Sequence, residues 1–437
     1  MLKKDASAEG GVRAPRAGEI MRNPDLARTF RTLGAEGKKG FYTGRIAEEL
    51  VRVVRDLGGH LDLDDLRHHL EAGSEPVDPI SLKLRGLGAA EAVQGSAVRG
   101  DSKDSNADVG LELWEHPPNG QGIVALMALG IVQELEKAGK IPRFGPADFN
   151  TAPYLHAIVE ALRLAFADAA WFVTDPNVVQ VPTASLVSEA YLAERAKLFD
   201  PARAAAGEGG SGIPAHGSPA LQSSDTVYFA VSDADGNAVS FINSNYGGFG
   251  TCIIPKGCGF TLQNRAANFS LDRTHPNVLA PRKRPYHTII PAAVTAFGLD
   301  GAGSSTLHSV FGVMGGFMQP QGHVQVLLGQ VVGGLSPQQA LDAPRVCIGN
   351  GMPAEGKGDA RDKKEIFDLT VYCEQGLPEE TVEGLRALGH KVEVVSGWRR
   401  DLFGRGQIIR RTVDPVEKIG VWSAGSDMRG DGAAYPL

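Results

Sequence analysis

No stretch of this 437-residue sequence approaches the roughly 18 consecutive apolar residues of a membrane-spanning helix, and the charged opening MLKKDASAEGGVRAPRAG lacks the apolar run of a secretory leader. The chain as given therefore reads as soluble and unsecreted, with a cytoplasmic setting as the expectation. Cysteine is scarce as well: Cys252, Cys258, Cys347 and Cys373 are too few and too scattered for a disulfide scaffold. Cys252 and Cys258 bracket the turn IIPKG, and reduced thiols packed as small hydrophobes are expected. There is no excess of basic charge. Lys and Arg number 44 against 51 Asp and Glu, and a net charge of −7 opposes the clustered cations a nucleic-acid backbone requires, so nucleic acid is excluded as a partner. No internal repeat is visible.

What is present is an ordinary globular composition of 22% charged and 42% hydrophobic residues, long enough for two or three domains or one large one. Residues 1–20 read as an untethered lead. Ile46, Leu50, Val53 and Leu57 recur at helical spacing until Gly58-Gly59, which predicts a helix over 44–57, and LDLDDLRHHLEA begins another with Asp62 or Asp64 as cap. Residues 85–109 have small polar composition without period and read as a mobile surface insertion. HPPNGQG (116–122) is a breaker-rich turn feeding an apolar helix. Thr151 caps the next one, with Pro153 in its first turn and Leu155, Ile158, Val159, Leu162, Phe166 and Ala169 in one stripe. The chain up to about 202 thus reads as mostly helical. A loose run rich in Gly, Pro and Ser follows, and then the texture changes at Thr226: VYFAVS, DADGN and AVSFIN spell strand, tight turn, strand. Further strands are expected around PYHTIIPAAVTAFG, and HKVEVVS follows the helix LPEETVEGLRALG near the end.

A tether that stops at Thr226 has a chemical reading. A threonine hydroxyl is a poor nucleophile without a base in reach, and a threonine at its own chain end carries one, the α-amine with a pKa of about 7.7–8.0. Such a residue arises by cutting the chain before it, and the released side must be loose enough to leave. Spacing alone fits a β-former at a strand start equally well.

DTVYFAVSDADGNAVS, SNYGGFG, LQNRAANFSLD, HPNVLAPRKRPYHTIIPA, FGVMGGFMQPQGHVQVLL, ALDAPR, FGRGQII and SDMRGDGAAY together resemble the small subunit of the gamma-glutamyltranspeptidase family. The resemblance continues upstream through NPDLARTFRTL, GFYTGRIAEEL, WEHPPNGQGI and YLHAIVEALRLAFADAAW. It implies an α+β fold, the four-layer αββα sandwich of N-terminal-nucleophile hydrolases. It also implies one structural domain built from residues 1–225, the large-subunit portion with a tether at 203–225, and residues 226–437, the small catalytic portion. Carried over by position, Thr226 matches the nucleophile and the Asp225–Thr226 bond the self-cleavage site. Ser244 matches a second hydroxyl that supports the amine, and Gly315-Gly316 matches the pair whose backbone N–H groups form the oxyanion hole.

The acyl-binding positions depart from the better-known members. Asn268 stands where an acidic residue meets the glutamyl α-ammonium, Arg265 where Gln is frequent, His287 and Thr288 where two serines bind the carboxylate, and Tyr246 where a smaller polar residue is usual. This set resembles the transpeptidase-like or cephalosporin-acylase-like branch. Family members also have a longer large subunit, with an arginine for the glutamyl α-carboxylate, ahead of NPDLARTF; the chain reads as N-terminally truncated. The expected activity is γ-glutamyl cleavage or transfer through an ester on Thr226, as with glutathione-like substrates, to water or an amine. The alternatives are a cephalosporin or glutaryl acylase and an inactive relative. No cofactor and no metal are implied, and the expected partners are the amide substrate and, after self-cleavage, the large and small fragments as a heterodimer. His60, Asp64, Asp65, His68, His69 and Glu71 read as a solvated helix face rather than a metal site, PRKRP (281–285) as a loop with one structural arginine, and EGKGDARDKKE (355–365) as a solvent loop. Asn268-Phe269-Ser270 is a glycosylation pattern that a pocket position for Asn268 rules out.

Overall fold

A computed structural model describes residues 2–94, 108–205, 224–298, 305–349, 370–414 and 416–436. The 355–365 loop, most of the tether and residues 95–107 of the expected insertion lie outside the described residues. The chain divides into two compact units, Met1–Pro76 with Phe249–Asn264, and Val77–Gly248 with Arg265–Leu437.

In the first unit the lead is not untethered: β1 (Lys3–Lys4) pairs antiparallel with β2 (Val12–Arg13), and Arg13 holds Asp5 at 2.8 Å and Glu19 at 2.7 Å. One guanidinium thus ties both sides of the turn. Helices α1 (Pro24–Tyr42), α2 (Gly44–Asp56) and α3 (Leu63–Ala72) follow. Asp62 caps α3 in a reciprocal box with Asp65. Ile46, Leu50 and Cys258 form a small core with Phe41, Leu66 and Phe260, where Cys258 packs as a hydrophobe. All four cysteines are free thiols.

The second unit runs β3 (Ile80–Leu84), α4 (Ala89–Gln94), β4 (Gly110–Glu115), α5 (Gly122–Lys137), α6 (Ala152–Phe172), α7 (Thr183–Leu186), α8 (Glu189–Ala196), then β5 (Ser224–Ser232) and β6 (Ala238–Gly247). It continues with β7 (Ala292–Phe297), β8 (Ser305–Met314), α9 (Met318–Val331), α10 (Pro337–Asp342), β9 (Val346–Gly349), β10 (Thr370–Glu374), α11 (Glu379–Ala387), β11 (Val392–Val395), β12 (Arg405–Val413) and β13 (Gly420–Ser426). Its centre is a six-stranded antiparallel sheet in the order β13–β12–β8–β7–β4–β3. A second sheet, β11–β10–β9, and the β5–β6 hairpin complete the strands among the described residues.

Two strands, β3 and β4, lie inside the segment expected to be mostly helical. GLELWE is an interior strand between β3 and β7 and is buried along nearly its whole length, Glu112 and Glu115 included. The insertion read as mobile from 85 onward begins instead with ordered structure: Leu87, Ala89 and Val93 are buried in the main core. Thr151 does sit at the cap position of α6, but its hydroxyl donates to the Asp148 carbonyl at 2.7 Å rather than accepting from the helix. The α6 stripe is only one side of a helix buried all round from Tyr154 to Ala169.

β8 shows how the layers are ordered. Side chains alternate across a strand, so Val313 faces α9, where Gly322 leaves room for it, while Gly312 faces the hairpin, where the Tyr228 ring fills the space a Cβ would take. Helices therefore cover one face of the sheet and the hairpin the other. The hairpin's own outer face, with Val227, Phe229, Val231, Val239 and Phe241, is exposed, and Phe229 and Phe241 stack on it at 4.9 Å.

Candidate active site

Thr226 is the first inward-facing residue of β5 beyond an irregularity in the ladder between Ser224 and Thr226, and its register partner is Ser244. Only 4% of it is exposed. The tight turn supplied by Asp235 and Gly236, the latter at φ 89°, fixes that register. The Ser244 hydroxyl accepts from the Tyr246 N–H at 2.8 Å and from Arg265 Nη2 at 2.9 Å. With both lone pairs in use its O–H is left to donate.

Arg265 gathers the acyl-binding candidates. Its Nη2 also donates to the Ser244 carbonyl at 3.0 Å, Nη1 donates to Thr288 Oγ1 at 3.3 Å, and the guanidinium lies 5.7 Å from the centre of the Tyr246 ring. Burial lowers its pKa, and burial pushes the Tyr246 phenol up to about 12. Tyr246 adopts φ 80°, an unusual conformation for a side chain of its size. Asn268 donates from Nδ2 to the Tyr286 carbonyl at 3.0 Å, which commits one of its two amide hydrogens within the fold and leaves its amide oxygen as the acceptor. His287 is held neutral: burial first, then the positive charges of Arg265, His116 and Arg284, depress its imidazole to about 3.

Gly315 and Gly316 form the turn between β8 and α9, at φ 140° and 59°. A Cβ on Gly315 would stand 3.1 Å from Met318 Cβ and 3.2 Å from Gly404 Cα, so the turn needs glycine there for conformation and for space. The Gly315 carbonyl accepts from the Met318 N–H at 3.0 Å, which starts α9 immediately after the turn.

A cavity of about 330 Å³ opens at Thr226, and its polar lining includes Arg405, Gln407, Ser426, Asp427 and Asp431. Arg265, Asn268, His287 and Thr288 are not among its described lining residues. The structure thus places the sequence candidates around Ser244 and Thr288, and adds a second set, from FGRGQII and SDMRGDG, that sequence reasoning left without a role. Behind this set, Asp427 Oδ2 accepts from Arg345 Nη2 at 2.6 Å and from the Gly406 N–H at 3.0 Å, and Oδ1 accepts from Arg429 Nη1 at 2.9 Å. In the PRKRP loop Arg284 binds Asp175 at 2.8 Å, the expected structural arginine.

Among the described residues one group has converging metal-ligand atoms, His156, Glu160 and His390, all buried. Arg163 already supplies its cation, donating to Glu160 at 2.5 Å and to His390 Nδ1 at 3.2 Å. Since arginine only donates, His390 Nδ1 accepts and its Nε2–H faces His156 Nδ1 at 2.8 Å, while His156 Nε2 bonds the Asp200 carbonyl at 2.9 Å. The donor atoms are therefore spent on a directed polar chain. His60 through Glu71 lie on an exposed surface, with Asp64 paired to Arg67 at 2.9 Å.

The model of the gamma-glutamyltranspeptidase family matches residues 6–437. The chain belongs to the gamma-glutamyltranspeptidase family. It is 31% identical over 425 residues to the glutathione hydrolase-like YwrD proenzyme of Bacillus subtilis, covering 97% of this chain and 68% of the relative. It is 32% identical over 421 residues to the oxamate amidohydrolase proenzyme of Klebsiella pneumoniae, with 96% and 66% covered. Among solved structures it resembles the cephalosporin acylase from Bacillus halodurans, with a TM-score of 0.71 and 36% identity over 97% of this chain and 65% of that one. The chain spans about two thirds of the length of these relatives. Its α+β fold is that of the N-terminal-nucleophile hydrolases in this family, whose members are hydrolases or acyltransferases. No helix among the described residues is long and apolar enough to cross a membrane.

Proposed function

We propose that the chain is a self-processing amide hydrolase or acyltransferase whose nucleophile is Thr226 and whose acyl group carries a carboxylate. The observation that supports it most is the position of Thr226: inward-facing, opposite Ser244, and in the wall of a cavity at the open end of the hairpin. In the first step the Thr226 hydroxyl attacks the Asp225 carbonyl, the C–N bond breaks, and an ester forms with a free Thr226 amine; water then cleaves the ester and leaves fragments 1–225 and 226–437 as a heterodimer. In turnover the amine takes the hydroxyl proton as oxygen attacks the substrate amide, the leaving amine departs protonated, and water or an acceptor amine resolves the acyl ester. Gly315 and Gly316 donate N–H groups to the tetrahedral oxyanion.

Charge supports the acyl class. Arg265 brings a half-buried cation to Ser244 and Thr288, and Asn268 offers an ammonium only a neutral oxygen, so a dicarboxylic acyl group such as glutaryl suits the site at least as well as γ-glutamyl. One relative points the same way by name, an oxamate amidohydrolase. The test is direct. Purified chain should run as two bands on a denaturing gel, with masses that place the break at 225/226, and Thr226→Ala should stay whole. Glutaryl and γ-glutamyl anilides then separate the acyl classes: a glutaryl kcat/KM equal to or above the γ-glutamyl value is expected, and strict dependence on the α-amino group refutes the acyl assignment. An intact, active wild type refutes the nucleophile.

A further inference from the structure

The turn HPPNGQG contributes Gln121, which is fully buried and is followed directly by α5. Its Nε2 donates to the Thr288 carbonyl at 3.0 Å and to the Gly316 carbonyl at 2.9 Å, so both amide hydrogens are used. Its Oε1 accepts from the Tyr286 hydroxyl at 3.2 Å. The backbone around it is zipped to the same loop: His287 N donates to the Asn119 carbonyl at 3.0 Å and Gln121 N to the His287 carbonyl at 3.1 Å. Tyr286 in turn stacks on Phe317, next to Gly316, at 5.7 Å.

The need for such a tie follows from the sheet. β7 pairs with β8 only as far as Ala292 opposite Phe311, whereas β8 runs on to Met314. Beyond that point side chains replace the missing strand. His323 Nε2 accepts the Val313 N–H at 3.3 Å, and Gln319 Oε1 accepts from Ile290 N at 3.1 Å. Gln121 closes the same gap at its far end. Because its amide plane spans two carbonyls from different loops, a rotation of either loop breaks one bond or the other.

We propose that Gln121 is a positioning residue for the reaction, holding the Gly315-Gly316 turn at a fixed separation from the 286–288 loop so that the oxyanion donors and the acyl-binding groups act on one substrate. It touches neither substrate nor nucleophile. The proposal rests on the reading of Thr226 as the nucleophile and adds to it a link between the two halves of the site.

The experiment uses the full chain with Gln121→Met, which keeps volume and loses both donors, and Gln121→Glu, which keeps length. With whichever anilide the wild type cleaves, Q121M is expected to lower kcat by about 10- to 100-fold, the size of effect a small misplacement of reacting groups produces, with KM changed by less than about threefold. Its self-cleavage should slow in the same proportion, since the same turn serves that step. A neutral carboxyl at 121 donates one hydrogen bond and an ionised one donates none, so the kcat of Q121E relative to wild type should rise as pH falls. A residue that only fills the core would not give that profile. Q121M with wild-type kcat, or with a change confined to KM, overturns the proposal while leaving Thr226 in place. Should Q121M not fold, Q121E carries the test, and a pH profile parallel to the wild type overturns it. A wild type that is whole yet active removes the Thr226 reading and this one with it.

Discussion

Asp427→Asn probes the support behind the Thr226 cavity. Asp427 and Arg345 are 3% and 2% exposed and meet at 2.6 Å, and Arg345 also donates to the carbonyls of Phe403 and Leu341, both at 2.9 Å. Removing the Asp427 charge leaves a buried guanidinium uncompensated, a change that costs about 3–5 kcal/mol. An Asn oxygen cannot serve Arg345, Arg429 and the Gly406 N–H together, and its NH₂ would face other donors. Glu374 remains nearby, bound to Arg429 at 2.5 Å, so the lower end, about 3 kcal/mol, is expected. With an unfolding entropy of about 2.1 cal/mol/K per residue, that loss lowers Tm by about 3 °C in a chain of this length. Urea and thermal unfolding measure it, and Arg345→Met in the same background should recover part of the loss because no unpaired charge remains. Acidity supplies a second arm. Burial alone would raise the Asp427 carboxyl, but the charges of Arg345 and Arg429 and the N–H groups of Arg429 and Gly406 more than offset it and hold the group below its ordinary 3.8. Its stabilisation is therefore complete above 3.8 and lost as pH falls through the lower folded value, and D427N should lack that step. A D427N stability within about 1 kcal/mol of wild type, with no recovery in the double variant, refutes the reasoning.

Gly315→Ala should lower kcat by about 100-fold or more, because a Cβ at φ 140° displaces the turn against Gly404 and Met318; single-turnover assays of the acyl anilide check it. Arg265→Lys keeps the charge and loses the fork between Ser244 and Thr288, and KM for a carboxylate-bearing acyl donor should rise about 10-fold, the worth of roughly one charged hydrogen bond. His308 is depressed to about 3 by burial and then by Arg410, so protonation favours the unfolded chain between pH 6.5 and about 3. Stability should fall there by up to about 1.36 kcal/mol per pH unit for this one group, and His308→Asn should make urea-derived stability less steep in pH by one proton.

The parts legible in the sequence are those where one residue type has one physical use. Asp235-Gly236 between two alternating runs specified the hairpin, and Gly44 to Asp56 appeared within a residue of its expected span. β4 escaped because burial covers Glu112 and Glu115 as well as Leu111 and Leu113, so exposure there does not follow the polar pattern. α4 and the turn before it escaped because Leu87 stands isolated between glycines and Ala89 and Val93 are small, and only burial gives them meaning. Within the site, Thr226, Ser244 and Arg265 came forward through resemblance and proved to be neighbours in space. Gln121 carried no such signal: a glutamine in a breaker-rich turn matters only once the carbonyls of Thr288 and Gly316, far along the chain, are seen to meet it.

The hairpin makes the nucleophile a matter of odd and even. Thr226 and Tyr228 point inward while Val227 and Phe229 are exposed, so deleting one residue between Thr226 and the turn would carry the hydroxyl to the outer, aromatic side, whereas deleting two would preserve its phase. Length changes in this strand are therefore constrained by parity before they are constrained by chemistry.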